Sequence, residues 1–246
     1  MPAVSITIIT LNEAERLPAA LASAAWADEI VVLDSGSTDG TPDLARAAGA
    51  VVVVEAWRGY GAQKNRAAEL ARHDWIFNLD ADERIDATLA QAVRTLPATP
   101  AAAVYRVRRR NRFAGVALRH WPWAWDEQRR LYDRHRTRFT AAAVHESLEP
   151  AGAVGRLPGV LDHETYRDWA DYERRQRRYG ELWADTARAR GRQVGALKRG
   201  CDPAVTFLRH WLLRGYLLGG ALGWRMSLAA ARGTRLRHRL LAGQTP

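Results

Sequence analysis

Two carboxylates, Asp80 and Asp82, follow the apolar run 75–78 and are separated by a single residue. Alternate residues of an extended chain point to the same side, so both carboxylates can face one point in space. Mg²⁺ and Mn²⁺ prefer oxygen ligands and usually take one or two carboxylates together with the phosphates of a substrate. The pattern therefore predicts a metal–diphosphate site where a buried strand ends. The alternative is a solvated acidic turn, which is common at strand ends.

The segments around this pair alternate between predicted strands and predicted helices. The predicted strands are 4–10, 29–33, 51–54 and 75–79, and the predicted helices are 13–25, 42–48 and 63–72. Such alternation with short connections predicts a parallel βαβ sheet, in which ligands collect at the carboxyl ends of the strands. The polar groups at 10–13, 34–35 and 80–82 all follow such strand ends. Glu83 is expected to support the turn, and Asn12 to cap the first helix.

Composition limits the class of protein. A chain of 246 residues with 47% hydrophobic residues and 10 tryptophans can bury a large core, so a disordered chain is excluded. Its single cysteine, Cys201, rules out internal disulfides and cysteine-based zinc sites. The sequence lacks G-x-G-x-x-G, G-x-x-x-x-G-K-[ST] and G-x-S-x-G, the signatures of dinucleotide enzymes, P-loop NTPases and α/β-hydrolases.

The charge is distributed unevenly along the chain. Residues 1–100 contain eight Lys+Arg and 14 Asp+Glu, whereas residues 101–246 contain 29 and 13. From Tyr166 onward aromatic and arginine residues recur at helical spacing, which predicts amphipathic helices, with a possible break at Gly219 and Gly220. The longest uncharged run there has ten residues, too few to span a bilayer. We therefore predict an α/β domain over 1–165 and a basic helical region over 166–246. The basic charge predicts a phosphate-bearing partner, which is an anionic membrane surface, a phosphorylated glycolipid or nucleic acid.

The ordered set of motifs resembles the family 2 glycosyltransferases of GT-A fold. The matching strings are Thr10-Leu11-Asn12-Glu13, the turn 34–41, Gln63-Lys64-Asn65 and the segment 79–83. Val144-His145-Glu146 and the aromatic, basic C-terminus are most similar to the lipopolysaccharide core β-1,4-glucosyltransferase branch. The resemblance covers residues 1–165 well and the remainder more loosely. It implies an α/β fold with a mostly parallel sheet flanked by helices.

The resemblance also implies roles for individual residues. Those expected to contact a UDP-sugar donor are Thr10, Glu13, Asp34, Lys64, Asp80 and Arg130. Asp34 is expected to accept a hydrogen bond from the uracil ring. Asp82, Asp80 and His145 are the implied ligands of Mg²⁺ or Mn²⁺, and Glu146 is the implied general base of an inverting transfer. The Q-x-x-R-W motif of processive synthases is missing, which favours the addition of a single sugar.

The resemblance implies transfer of glucose from UDP-glucose to an inner-core sugar of lipopolysaccharide or a similar lipid-linked glycan, at the cytoplasmic face of the inner membrane. One alternative is a polyprenyl-phosphate glycosyltransferase of the same fold. It would not need a base such as Glu146, because a phosphate acceptor is already a nucleophile. A second alternative is a non-enzymatic basic adaptor for membranes or nucleic acid. That hypothesis does not explain carboxylates at three strand ends, so no nucleic-acid partner is expected.

Overall fold

The structure is a computed structural model that describes residues 2–118, 124–140, 146–149 and 152–243. The chain divides into two compact units, which are described separately. The first comprises Met1–Arg110 and Asp126–His163, and the second comprises Asn111–Trp125 and Glu164–Pro246. The predicted domain boundary between residues 165 and 166 stays a prediction, and the second unit includes the segment 111–125 in addition to the C-terminal residues.

Four parallel strands form the part of the sheet that carries the predicted site. They are β1 (Val4–Thr10), β2 (Glu29–Asp34), β3 (Val51–Val54) and β4 (Trp75–Asn78), and they lie in the order β3-β2-β1-β4. The residues of β1, β2 and β4 are nearly all buried, as expected for strands covered on both faces. Parallel pairing brings all four carboxyl ends to one edge of the sheet.

Helices cover both faces of these strands. In the first unit they are α1 (Leu17–Ala24), α2 (Thr41–Ala47), α3 (Tyr60–Leu70) and α4 (Ala87–Arg94). Ile6, Ile8 and Phe77 pack in one core with residues of α1 and α4, whereas Ile76 packs in a second core with residues of α3. The opposite placement of Ile76 and Phe77 follows from the two-residue period of a strand.

The first helix begins later than predicted. Asn12 does not cap it, because Asn12 adopts a left-handed backbone conformation with φ of 56° and its side-chain oxygen accepts a hydrogen bond from the Thr38 N–H. Helix α1 instead begins after Arg16, with Leu17 and Pro18 as its first residues. Residues 11–16 are thereby left as a loop that contacts the turn after β2.

The remaining strands make the sheet mixed. They are β5 (Glu83–Ile85), β6 (Val104–Phe113), β7 (Val116–Ala117), β8 (Trp125–Asp133) and β9 (Val154–Tyr166). β8 pairs antiparallel with β4, and β5 pairs antiparallel with β9. The full order is β3-β2-β1-β4-β8-β6-β9-β5, with β7 paired to β6. The predicted α/β class, a sheet flanked by helices followed by a helical C-terminal region, is confirmed, and β1–β4 pair in parallel.

The second unit is mostly helical after β9. It contains α5 (Trp169–Ala189), α6 (Ala196–Leu208) and α7 (Gly220–Leu241), with a π-helical turn at Arg209–Leu213 and a 3-10 turn at Tyr216–Gly219. The core of this unit contains Phe113, Tyr172 and Met226. The helix boundary at Gly219 and Gly220 coincides with the predicted break. Within the described residues, no helix combines the length and the apolarity needed to cross a membrane.

Glu29 ties the start of β2 to its neighbours and gives a prediction about stability. Its carboxylate is buried and accepts hydrogen bonds from the Ser5 hydroxyl, the Arg72 backbone N–H and the Arg72 side chain. Burial raises the pKa of Glu29, but these hydrogen bonds outweigh it and hold the pKa below the ordinary value of 4.5. The ionised carboxylate therefore stabilises the fold above pH 4.5, and this contribution is lost as the pH falls through the lower, folded-state pKa.

We expect Glu29→Gln to lower the free energy of unfolding at pH 7 by about 1–3 kcal/mol, since it weakens buried hydrogen bonds to a charged acceptor. Thermal and urea unfolding should show the deficit at pH 7 and a smaller one once the pH is well below 4.5. Glu69→Gln is the control, because that side chain is exposed and should change stability by at most about 0.5 kcal/mol. Equal effects of the two substitutions at pH 7 would contradict this account.

Candidate nucleotide-sugar site

The ends of β1 and β2 meet in a turn that encloses Asp34. The register pairs Thr10 with Asp34, and the Thr10 hydroxyl donates to the Asp34 carboxylate at 2.9 Å. The other donors to Asp34 are the backbone N–H groups of Gly36 and Ser37 and the Ser37 hydroxyl. Asp34 is fully buried, so in this structure its carboxylate stabilises the turn by accepting these hydrogen bonds. Its predicted contact with a uracil ring stays a prediction, and requires one of these hydrogen bonds to be exchanged.

The end of β4 is organised around a buried guanidinium group. The antiparallel register between β4 and β8 brings Arg130 beside Asn78, and Arg130 donates to the Asn78 side-chain oxygen at 3.0 Å. The same guanidinium donates to Asp80 at 2.6 Å and to Glu83. Glu83 also accepts a hydrogen bond from the Asp80 N–H, which confirms the prediction that it supports the turn. Arg130 is only 3% exposed, so its first role is to hold this turn in place.

Lys64 connects two acidic residues, Asp80 and Glu146, that line a cavity. Its ammonium nitrogen lies 3.3 Å from an Asp80 oxygen and 2.9 Å from Oε1 of Glu146. The Lys64 side chain is almost fully buried, and its nitrogen also lies 5.2 Å from the centre of the Phe139 ring. Lys64, Asp80, Arg130 and Glu146 line one cavity of about 500 Å³. Four of the predicted site residues, distant in sequence, are thus brought together.

Asp82 lies in a second set of contacts next to this cluster. Its carboxylate is 3.4 Å from Arg16 Nη1 and 3.5 Å from His163 Nε2. Arg16 also forms a bidentate pair with Glu13, so Glu13 reaches Asp82 only through this arginine. His163 is beside the turn because β9 pairs Glu83 with His163.

The carboxylates and the imidazole of the site meet the ligand requirements of a divalent metal ion only in part. Both Asp80 oxygens face cations, whereas Asp82 lies beside an imidazole nitrogen that is itself a metal donor. Among residues 2–118, 124–140, 146–149 and 152–243, no group of three or more His, Cys, Asp or Glu side chains is arranged to hold an ion. An ion at Asp82 would therefore need the phosphates of a substrate for most of its ligands, which is the usual situation for Mg²⁺. His145, the third predicted ligand, lies outside the described residues.

The charges in the cluster shift the carboxyl groups in opposite directions. Burial raises the pKa of Asp80, but the adjacent Arg130 and Lys64 outweigh it and hold that pKa well below its ordinary value. Burial also raises the pKa of Asp82, and hydrogen bonding to His163 reverses the effect and lowers it. Glu83 has a raised pKa, because burial and the neighbouring Asp80 outweigh Arg130. Asp80 is therefore the carboxylate held ionised most firmly.

Some residues of the site were not predicted from the sequence. Arg109 on β6 donates to Glu83 and forms a bidentate pair with Asp126, so it supports the turn from the opposite side. The Asn65 side chain donates to the Phe139 carbonyl and accepts from the Phe139 N–H, which attaches the segment before Glu146 to α3. The motif Gln63-Lys64-Asn65 indicated Asn65 in the sequence. No local pattern indicated Arg109, because its position in the site depends on the pairing of distant strands.

A carboxylate and cation cluster at the carboxyl ends of a parallel sheet defines a site for a charged nucleotide-type ligand. Comparison with known proteins gives the family. The model of Glycosyl transferase family 2 matches residues 5–151. The chain is 34% identical over 237 residues to the lipopolysaccharide core biosynthesis glycosyltransferase LpsC of Rhizobium meliloti (strain 1021), with 92% of this chain and 87% of that protein covered. The chain belongs to glycosyltransferase family 2, and the predicted resemblance is confirmed.

The chain is also similar to another glycosyltransferase sequence and, more distantly, to a solved structure. An uncharacterised glycosyltransferase of Rickettsia prowazekii (strain Madrid E) is 24% identical over 250 residues, covering 96% of this chain and 86% of that protein. Among solved structures, the glucosyl-3-phosphoglycerate synthase of Mycobacterium tuberculosis in complex with Mn²⁺, UDP and glucosyl-3-phosphoglycerate aligns with a TM-score of 0.44 and 18% identity. That alignment covers 79% of this chain and 82% of the synthase.

Gly61 allows α3 to approach the segment that carries Glu146. A Cβ atom on Gly61 would lie 2.0 Å from the Thr140 carbonyl oxygen and 3.6 Å from Cβ of Glu146. We expect Gly61→Ala to cost about 1–3 kcal/mol of stability through overpacking, and to lower glycosyl transfer by displacing Glu146 from Lys64. Thermal unfolding and turnover with a UDP-sugar would measure the two effects.

Gly200→Ala is the matched control for this substitution. Gly200 is also within a helix, α6, and a Cβ there would meet nothing within 4 Å. It should leave activity unchanged and keep or slightly raise stability, because alanine favours helix more than glycine does. Wild-type activity and stability in Gly61→Ala would show that the close approach is not required.

Proposed function

We propose that this protein is an inverting glycosyltransferase that moves glucose from UDP-glucose onto an inner-core sugar of lipopolysaccharide or a similar lipid-linked glycan. Membership of family 2 and the similarity to a lipopolysaccharide core biosynthesis enzyme support this acceptor class. The observation that carries the proposal is the position of Lys64, between the turn carboxylate Asp80 and the predicted base Glu146. One cation thus connects the donor side of the cavity with the acceptor side.

Glu146 has the surroundings that a general base needs. It lines the cavity, its side chain is 16% exposed, and among the residues that the structure describes it forms an ion pair with Lys64 alone. A carboxylate in this position can take the proton from an acceptor hydroxyl as the oxygen attacks the anomeric carbon. The diphosphate of a bound donor would compete for the Lys64 ammonium group, which would leave Glu146 more basic at the moment of attack.

Asp82 is the residue that we assign to the metal, with His163 beside it as a further donor. When bound, a divalent ion would offset the negative charge that develops on the departing UDP. Asp80 contributes by holding Lys64 and Arg130, two of the cations that line the cavity. Arg16 and His163 both contact Oδ2 of Asp82, so a metal ion bound to that oxygen would have to replace Arg16 there.

We also propose that the protein binds the cytoplasmic face of the inner membrane through its C-terminal helices, where a lipid-linked acceptor would be presented. Exposed leucines on α6 and in the turns after it, such as Leu213 and Leu218, support this proposal, as does the basic charge of the C-terminal half. Recovery of all the protein in the soluble fraction of a low-salt cell lysate would contradict it.

Donor binding is tested by tryptophan fluorescence during titration with UDP, with and without Mn²⁺. We expect saturable binding that tightens with Mn²⁺ in the wild type, and about tenfold weaker binding with little response to Mn²⁺ in Asp82→Ala. Asp43→Ala is the control, because Asp43 is an exposed residue of α2 paired only with Arg46 among the described contacts. The absence of any UDP response in the wild type would exclude UDP as the donor nucleotide.

Turnover is tested with Glu146→Gln, which keeps the size of the side chain but removes its basicity. We expect a loss of at least about 100-fold in turnover, because a positioned general base typically contributes 10²–10⁴-fold, while UDP binding is retained. Turnover measured with a saccharide acceptor, next to the UDP titration, separates these effects. Full turnover in Glu146→Gln would argue against a hydroxyl acceptor activated by Glu146, and would favour the polyprenyl-phosphate alternative.

A further inference from the structure

A cavity of about 520 Å³ lies within the second unit, between helices α5, α6 and α7 and the turns that join the last two. Its basic lining residues are Arg209, His210, Arg214 and Arg237. None of its described lining residues is an aspartate or a glutamate. A neighbouring cavity along α5 and α7 differs in this respect, because Glu173 and Glu181 lie among its arginines. The first cavity therefore concentrates positive charge without internal compensation.

Several arginines of the protein have carboxylate partners, such as Arg110 with Asp162 and Arg66 with Glu55. The arginines of this cavity are the exposed Arg209 and Arg214 and the half-buried Arg237. In the part of the chain that the structure describes, these three form no salt bridge. Arg237 donates to the Thr234 hydroxyl at 3.3 Å and lies 6.0 Å from the centre of the Trp183 ring. Guanidinium groups without a carboxylate partner are suited to bind an external phosphate through paired hydrogen bonds.

His210 orients one of these arginines without cancelling its charge. Nδ1 of His210 donates to the Thr206 carbonyl at 2.8 Å, so Nε2 is left as the acceptor for Arg214 at 3.1 Å. Burial lowers the pKa of His210, and Arg214, Arg209 and Arg237 lower it further, against the opposing effect of the hydrogen bond to Thr206. The imidazole is therefore neutral at pH 7, and it accepts a hydrogen bond from Arg214 without adding a negative charge beside it.

Hydroxyl groups complete the polar wall. The Thr206 and Thr234 hydroxyls lie 3.1 Å apart and join α6 to α7 at the cavity. The Thr234 hydroxyl donates to the Ala230 carbonyl at 3.2 Å, so the proton between the two threonines is that of Thr206. A phosphate oxygen can accept this Thr206 proton in exchange for its bond to Thr234. A terminal phosphate monoester fits this wall best, because its charge of nearly −2 matches several cations and its three free oxygens can meet several donors.

An exposed apolar surface adjoins the cavity in sequence and structure. It consists of five leucines that are at least 50% exposed and that flank Arg209, Arg214 and the buried Tyr216: Leu208, Leu212, Leu213, Leu217 and Leu218. Leu213 is 83% exposed, which is unusual for a large aliphatic side chain. Apolar residues next to phosphate-binding cations are the arrangement expected where a helix lies in the interface of a membrane.

We propose that this cavity binds the terminal phosphate monoester of a membrane lipid, while the five leucines enter the acyl region beside it. The inference rests on the membrane association proposed above and gives it a specific site. Charge and polarity together identify the lipid as the occupant. The arginines are complementary in charge to the phosphate, and the apolar leucines are complementary to the acyl chains. A soluble phosphate compound would use the arginines but leave the leucines in water.

The proposal is tested by co-sedimentation of the full-length protein with vesicles. Three compositions are compared: phosphatidylcholine alone, phosphatidylcholine with phosphatidic acid, and phosphatidylcholine with phosphatidylglycerol at the same total lipid charge. The variant is Arg209→Gln/Arg237→Gln, and the control is Arg199→Gln/Arg235→Gln. The control changes the net charge equally, and its two arginines are exposed residues of α6 and α7 that do not line the cavity.

We expect the wild type to prefer phosphatidic acid vesicles, and the cavity variant to bind them at least about tenfold more weakly, while the control loses about twofold or less. Leu213→Ser should also weaken vesicle binding, and being exposed it should leave thermal unfolding unchanged. Equal losses in the cavity variant and the control would overturn the proposal, since they would show a diffuse basic surface. Equal binding to phosphatidylglycerol would overturn the preference for a monoester.

Two further measurements separate the possible sources of failure. Millimolar glycerol 3-phosphate should weaken vesicle binding, because it carries the same phosphate monoester. Saturable binding of glycerol 3-phosphate by a wild type that does not bind the vesicles would show that the occupant is a soluble phosphate, and would overturn the lipid assignment. The UDP titration of the cavity variant should match that of the wild type. Loss of vesicle binding in the cavity variant, with an unchanged UDP response, supports the inference. If the wild type binds vesicles through the cavity but does not bind UDP, only the proposed glycosyl donor is rejected.

Discussion

The buried ion cluster around Arg130 is the interaction on which the rest of the site depends. A guanidinium group removed from water loses much hydration energy, and only well-placed acceptors can offset that loss. Here Asn78 from β4, Asp80 from the following turn and Glu83 from β5 supply the acceptors, while β8 supplies the cation. Three strands must therefore be correctly placed before the cluster is satisfied. The requirement fixes the turn that carries Asp80 and Asp82.

The charged groups of the site already contact one another, so a ligand must replace some of these contacts in order to bind. Asp34 receives one hydrogen bond from Thr10 and three from its own turn, Lys64 bridges Asp80 and Glu146, and Arg16 lies between Glu13 and Asp82. A diphosphate can draw on Lys64, and a metal ion can replace Arg16 at Asp82. Such exchange limits the net affinity, but it gives specificity, because a ligand without these charges cannot compensate for the contacts that it breaks.

The two units differ in whether the cations that line their cavities have carboxylate partners. In the first unit, cations such as Arg109, Arg130 and Lys64 are matched by carboxylates, which gives a cavity of mixed charge. In the second unit, Arg209, Arg214 and Arg237 have no salt-bridge partner within the described residues, and exposed leucines lie beside them. Mixed charge suits a nucleotide sugar with a metal, whereas unmatched positive charge beside apolar surface suits a phosphate at a lipid interface.

The sequence by itself determined the parts of the protein that depend on local patterns. The strands at 4–10 and 51–54 agree with their predictions, because continuous β-branched runs allow few other structures in a globular chain, although only the first of the two is buried. The helix break at Gly219 and Gly220 was likewise local. The start of α1 was mispredicted, since Asn12 bonds to Thr38, a residue 26 positions away that the local pattern does not reveal.

Only the tertiary structure decided which charged residues are partners. It placed His163 beside Asp82 through the pairing of β5 with β9, and it engaged Arg130 with Asn78, Asp80 and Glu83 instead of leaving it free for a ligand. It also brought Lys64 and Glu146, 82 positions apart, into contact. The physical reason is that ion pairs depend on distances of a few ångströms, which are set by strand register and helix packing. The motifs contain several of the charged residues that take part in these ion pairs. The strands β8 and β9, which pair antiparallel with β4 and β5 and which no motif predicted, determine which of these residues are partners.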